Sequence, residues 1–291
     1  MGHIVYSEFS DHRLAGGPVR IYAAGAAHAP AVLLLHGAML DWAELSWMHL
    51  APVLAQTHRV YALDFPRHGA RRPWGDTLVD QALLERIVHE ALNVLAVGKV
   101  HLVGLSMGAG VAMGYALHHP ERVRRAVLAA PAGIGAKRKA QLLTWAFTRI
   151  APVQRWNARY LAKKPELIRD TLRKGLSQGE ATPAFEAIVQ ACQQEAERQA
   201  RHGEKALDDW QIEAFEPFSM QLDFLPELPD MRVPTLWLRG SDDPMVYADD
   251  VAEAVRRTPG AQFIGIERAR HLLPLDQPEA FNRAVQAFLV D

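Results

Sequence analysis

Along the first half of the chain, short, mostly β-branched or aliphatic runs alternate with longer stretches in which apolar residues recur every three or four positions. The runs occupy residues 31–36, 59–65, 100–105 and 125–130. Continuous aliphatic runs this short read as strands covered on both faces. The stretches between them are long enough for crossover helices, so the pattern predicts βαβ units and a parallel sheet. Two further strands, 235–239 and 262–266, come only after position 230. At the front, 4–9 and 19–23 read as an antiparallel lead-in.

Between 137 and 224 the periodicity is helical and no strand is predicted. Leu143, Phe147 and Ile150 fall at i, i+4 and i+7, with Pro152 ending or kinking that helix. Phe185, Ile188, Val189 and Cys192 repeat the spacing. Both stripes are read as packing faces rather than cofactor contacts. Pro226, Pro229 and Pro234 mark the return to the sheet. The expected organisation is a core of 1–136 and 225–291 with a helical insertion at 137–224 serving as a lid.

Composition narrows the classes. The chain has 291 residues, 49% hydrophobic and 22% charged, which is globular rather than disordered or fibrous. Lys plus Arg number 32 against 33 Asp plus Glu, a formal net charge of -1. That balance supplies no global field to gather phosphates or anionic lipid, so neither nucleic acid nor a membrane is an expected partner, although local patches stay open. The single cysteine, Cys192, excludes an intramolecular disulfide and a multi-cysteine zinc site, and fits a reducing cytoplasm. Residues 1–13 lack the apolar run of a signal peptide, and Tyr6 stands where a myristoylation pattern wants Ser or Thr. No stretch is apolar for long enough to span a bilayer.

The most informative segment runs from Val103 to Gly110, a strand leading into a helix through Gly104-Leu105-Ser106-Met107-Gly108. A serine on so sharp a turn sits in strained backbone, and glycines two before and two after let neighbouring chain pass close. A serine hydroxyl is a weak nucleophile until a base takes its proton, and the base needs a carboxylate to fix its tautomer. In this type of fold the order is Ser, acid, His. The strand after Ser106 ends in 130–136, which holds no carboxylate, so the acid is expected after the next strand, at Asp242 or Asp243. Beyond that point His271 is the one remaining histidine of 13.

On these residues the sequence resembles the α/β-hydrolases that carry a lid, over most of its length. The resemblance implies an α/β fold with a mostly parallel central sheet flanked by helices. The family's Gly-x-x-Asp pattern selects Asp243 over Asp242, and 271–289 is similar to the family's ending. His36-Gly37-Ala38-Met39 is similar to its oxyanion-hole loop, which implies that the amides of Ala38 and Met107 hold the oxyanion, with His36 structural. Residues 64–69 resemble a further signature but carry Arg67 and Ala70 where the family has Gly and a small polar residue. Arg67, Arg71 and Arg72, with Arg268 and Arg270 near His271, either face the substrate entrance and favour an anionic group or are solvated surface.

The implied chemistry is that of a serine hydrolase cleaving a small ester or related acyl compound through an acyl-enzyme, with no metal or organic cofactor. Ser106 argues against the aspartate-nucleophile branches. Hydrolases that cleave carbon-carbon bonds in ring-opened aromatic diketones usually show Asn before the serine and Trp after the histidine, and Leu105 and Leu272 stand there instead. That reaction, a lyase or cofactor-free peroxidase, and a non-catalytic small-ligand receptor stay as alternatives. Trp145, Phe147, Trp156, Phe185, Trp210 and Phe215 are expected either to line an apolar acyl pocket or to hold the insertion together.

Overall fold

The computed structural model describes residues 6–75 and 77–290. Strands β1 (Glu8–Leu14), β2 (Gly17–Ala24), β3 (Ala31–Leu35), β4 (Arg59–Leu63), β5 (Val100–Leu105), β6 (Val123–Ala129), β7 (Thr235–Gly240) and β8 (Gln262–Ile266) form one sheet. Its order is β1-β2-β4-β3-β5-β6-β7-β8. β1 and β2 pair antiparallel, as do β2 and β4, and every later pairing is parallel. The lead-in starts later than its pattern suggests, and residues 4 and 5 lie outside the described residues. β5 is buried along its whole length, as its four Val and Leu residues suit in a strand covered on both faces, and His101 and Gly104 are buried with them.

Helices α1 (Ala43–Ser46), α2 (Ala51–Leu54), α3 (Gln81–Val94) and α4 (Met107–His118) connect the first strands. Between β6 and β7 come α5 (Gln141–Thr148), α6 (Ala151–Ala162), α7 (Pro165–Gly175), α8 (Phe185–Arg201) and α9 (Asp209–Glu213). The chain ends through α10 (Ala248–Arg257), α11 (Leu273–Asp276) and α12 (Pro278–Leu289). From β3 the chain steps outward to β4 and then crosses back to β5 on the other side. That reversal opens a crevice at the carboxyl ends of β3 and β5, where ligands of open α/β sheets bind.

The helices between β6 and β7 pack partly on each other and partly on the core. A second apolar cluster joins Ile168, Phe185 and Ile188 to Trp42, Leu45 and Leu275, which holds α7 and α8 against the loop after β3 and the segment after β8. The α8 stripe is thus buried. The α5 stripe is not: Leu143 is 74%, Phe147 49% and Ile150 47% exposed. Its periodicity is that of an apolar face, but no element among the described residues crosses over it. Pro152 also does not kink α5; it sits in the first turn of α6, where its missing N–H costs no hydrogen bond. No helix among the described residues is long and apolar enough to cross a membrane.

Candidate active site

Ser106 sits between β5 and α4 with φ 52° and ψ −112°, a conformation L residues avoid, and its amide donates to the Ala129 carbonyl at 2.9 Å. A Cβ at Gly108 would lie 2.1 Å from the Leu35 carbonyl oxygen and 2.5 Å from that of His36, so only glycine lets the end of β3 press against the first turn of α4. This contact sets the Gly37–Ala38 loop beside the serine turn. Gly37 itself lies against the Leu105 carbonyl.

The base and acid arrive from the far side. His271 Nε2 is 2.9 Å from Ser106 Oγ, and His271 Nδ1 is 3.0 Å from Asp243 Oδ2. Asp243 is buried and Asp242 exposed, so of the two adjacent carboxyls the structure brings Asp243 to the histidine. Burial pushes the Asp243 carboxyl up, but its hydrogen bond and attraction to His271 and the amides of Met245 and Val246 outweigh this and hold it below the usual carboxylate range. An ionised Asp243 draws the ring proton to Nδ1, which leaves the Nε2 lone pair facing the serine hydroxyl. Gly240 is required here for the same reason as Gly108: a Cβ would meet the carbonyl oxygens of Ala269 and Arg270 at 2.3 and 2.4 Å.

One residue holding this loop was not singled out from the sequence. Asp276 is fully buried and accepts from the Arg270 amide at 2.6 Å, and from the amide and hydroxyl of Ser177 at 2.9 and 2.7 Å. It ties the His271 loop to the turn after α7. Only its place in the family-like ending marked it.

The loop after β3 is fixed on both sides of Ala38. His36 Nε2 accepts the Phe65 amide at 3.0 Å, so its proton is on Nδ1, which donates to the Gly37 carbonyl at 2.6 Å. That carbonyl shares a peptide unit with the Ala38 N–H, so holding one aims the other. Burial, together with nearby His68, keeps His36 neutral by pulling its pKa well below the usual range. The Gly37 amide donates to Asp41 at 2.7 Å and the Met39 amide to Asp208 at 2.7 Å. The Met107 amide opens α4, where a helix leaves its first N–H groups without intrahelical acceptors. Beside Met107 a small cavity is lined by Phe65, His68, Val79, Asp208 and Trp210.

Asp208 was likewise missed from sequence. Its other oxygen lies 3.3 Å from His68 Nε2, and both side chains are largely sheltered. Burial pulls the His68 pKa down, but Asp208 and Glu195 raise it to about 9. A histidine raised from about 6.5 binds its proton more tightly folded than unfolded. The stability it adds is therefore complete below about pH 6.5 and disappears as pH rises through about 9. Urea unfolding of wild type and His68→Gln should show a wild-type advantage at pH 6 that shrinks steadily towards pH 9.5. A difference independent of pH would show that the pair is not charged.

Of the five arginines read as either entrance or solvated surface, Arg268 is exposed and the other four have partners within the chain. Arg72 is buried and pairs with Glu195 of α8 and, at 2.9 Å, with Glu204. Arg67 pairs with Asp209 and donates to the Gly75 carbonyl at 3.1 Å. Arg270 donates to the Lys174 carbonyl, and Arg71 lies 3.5 Å from Asp11. Neither expected alternative describes Arg72, which is an internal ion pair. Of the aromatic residues, Phe185 and Trp210 are buried, Trp145 and Phe215 half-buried, and Phe147 and Trp156 exposed. Among the described residues no group of three or more His, Cys, Asp or Glu is placed to hold a metal ion.

The chain is similar to known proteins over nearly its whole length. A family model described as Alpha/beta hydrolase family matches residues 32–284. The 2-hydroxy-6-oxo-6-phenylhexa-2,4-dienoate hydrolase of Burkholderia cepacia is 27% identical over 282 residues, covering 94% of this chain and 92% of that one. The 2-hydroxy-6-oxo-2,4-heptadienoate hydrolase of Pseudomonas putida is 27% identical over 293 residues, covering 98% of each. The crystal structure of carboxylesterase CesB (YbfK) from Bacillus subtilis superposes with a TM-score of 0.70 at 22% identity, covering 98% of this chain and 93% of that one, a likeness of fold.

Proposed function

The chain belongs to the alpha/beta hydrolase family, and we propose that it is a serine hydrolase acting on a small ester or related acyl compound through an acyl-enzyme. The observation that carries this reading is the unbroken relay from Ser106 Oγ to His271 Nε2 at 2.9 Å and from Nδ1 to Asp243 at 3.0 Å. His271 takes the hydroxyl proton as Ser106 attacks the acyl carbon, and Asp243 stabilises the resulting imidazolium. The amides of Ala38 and Met107 receive the developing oxyanion. His271 then gives the proton to the leaving group, and water attacks the acyl-enzyme by the same steps in reverse to free the acid and restore Ser106. The helices between β6 and β7 act as a lid that shapes the acyl pocket. The free, buried Cys192 supports a cytoplasmic location.

A second reading, hydrolysis of a carbon-carbon bond, is favoured by the relatives named as 2-hydroxy-6-oxo-dienoate hydrolases. Leu105 and Leu272 at the two positions where such enzymes usually carry Asn and Trp favour the ester. The two separate in one experiment with p-nitrophenyl esters of increasing acyl length and 2-hydroxy-6-oxo-6-phenylhexa-2,4-dienoate. The expected result is a kcat/KM on the best ester at least about a hundredfold above that on the dienoate. The reverse ranking would replace the ester reading with carbon-carbon hydrolysis, and tight binding without turnover would replace both with a receptor.

A further inference from the structure

The apolar stripe of α5 is uncovered, and its surroundings extend it. Leu142, Leu143, Phe147 and Ile150 are all exposed. In the next helix, Pro152, Arg155, Trp156, Arg159 and Tyr160 fall at i, i+3, i+4, i+7 and i+8 and share the solvent face, while Gln154 and Ala158 turn inward. Trp156 and Tyr160 stack with ring centroids 5.1 Å apart and planes 11° from parallel. Phe218, 76% exposed, joins the patch because the Gln141 side chain donates to the carbonyls of Glu216 and Ser219 at 2.8 and 2.7 Å. Exposed apolar residues are ordinary one at a time, but a contiguous group marks an interaction surface.

Charge identifies the partner. From Lys137 to Lys164 the sequence has eight Lys or Arg and no Asp or Glu, in a chain whose net charge is -1. Arg138 is neutralised by Asp250 at 3.1 Å, Lys164 by Glu166 at 3.4 Å, and Arg149 has Glu213 at 3.9 Å. Arg155, Arg159 and Lys163 are exposed and, among the described residues, carry no ion pair. A second copy of the chain would set this cationic face against itself across a two-fold axis. A nucleic acid would use the cations and rings but not Leu142, Leu143 and Ile150.

We infer that the α5–α6 face docks on bilayers bearing anionic phospholipid, with the aliphatic and aromatic side chains entering the interface and the cations reaching the headgroups. Large apolar residues beside Lys and Arg stems are the composition of segments that lie in the plane of a membrane surface. This site is independent of the chemistry at Ser106, and its test uses no turnover.

The test is co-sedimentation of the full chain with vesicles of phosphatidylglycerol mixed with phosphatidylcholine, against phosphatidylcholine alone, at low and high salt. Partition onto the anionic vesicles is expected to be at least about tenfold stronger and to weaken with salt. The pairs Leu143→Asp with Phe147→Asp, and Arg155→Glu with Arg159→Glu, lie on exposed positions and should each lower it at least about tenfold with an unchanged near-ultraviolet dichroism spectrum. Equal partition onto the two vesicle types, or none, overturns the inference without any variant. So does a dimer in analytical ultracentrifugation that the same pairs dissolve, or binding of single-stranded DNA that they abolish in the absence of lipid binding.

Discussion

Replacement of Ser106 by alanine is expected to lower kcat on an activated ester by about 10⁵–10⁶-fold while leaving substrate affinity and the unfolding curve close to wild type. The side chain lies at the rim of the sheet, and the backbone strain at φ 52° belongs to the turn and persists with Ala, so the fold has nothing to gain or lose from the hydroxyl. Loss of the base in His271→Ala should cost about as much, and the double variant hardly more than either alone, because nucleophile and base act as one unit. Asp243→Asn should fall by about 10⁴-fold, since an amide at 3.0 Å from Nδ1 favours the wrong imidazole tautomer. Additive losses across these variants would argue that the three side chains are not a relay.

The second large effect lies in the fold. Arg72→Ala is expected to destabilise the protein by about 3–5 kcal/mol, because it takes the guanidinium at once from Glu204 and from Glu195, which is fully buried and keeps only Arg198 at 3.2 Å. Desolvating these charges is costly and the ion pairs only offset that cost, so the damage comes from the two carboxylates that lose the guanidinium. Arg72→Met combined with Glu195→Leu and Glu204→Met should therefore recover much of the loss. Equilibrium urea unfolding reads both as midpoint shifts at constant slope. A shift within about 0.5 kcal/mol for Arg72→Ala would mean that Arg198 and water suffice for the carboxylates.

These two effects mark the boundary of what local pattern reveals. Ser106 and His271 were legible because the serine turn imposes glycine at fixed spacing and because order along the chain leaves a single histidine; Asp243 needed the resemblance to choose it over its neighbour. The central strands were legible because β3 and β5 are buried on both faces and so are mostly aliphatic. The Arg72–Glu195 pair joins positions 123 apart, and no window of sequence contains both. Asp208, acting on the Met39 amide 169 positions away, was invisible for the same reason; Asp276 was marked only by its place in the family-like ending, and its contacts with Ser177 lie 99 positions away. Periodicity on α5 described which residues share a face and said nothing about whether anything covers it; hence a stripe read as packing is open to solvent.

The central claim is that Ser106 is made nucleophilic by His271, and active-site labelling with a fluorophosphonate followed by peptide mass mapping tests it most directly. One equivalent of label on the peptide containing Ser106, absent from His271→Ala, is the predicted result. Label on another residue, or full ester turnover by protein that Ser106 does not label, would contradict it.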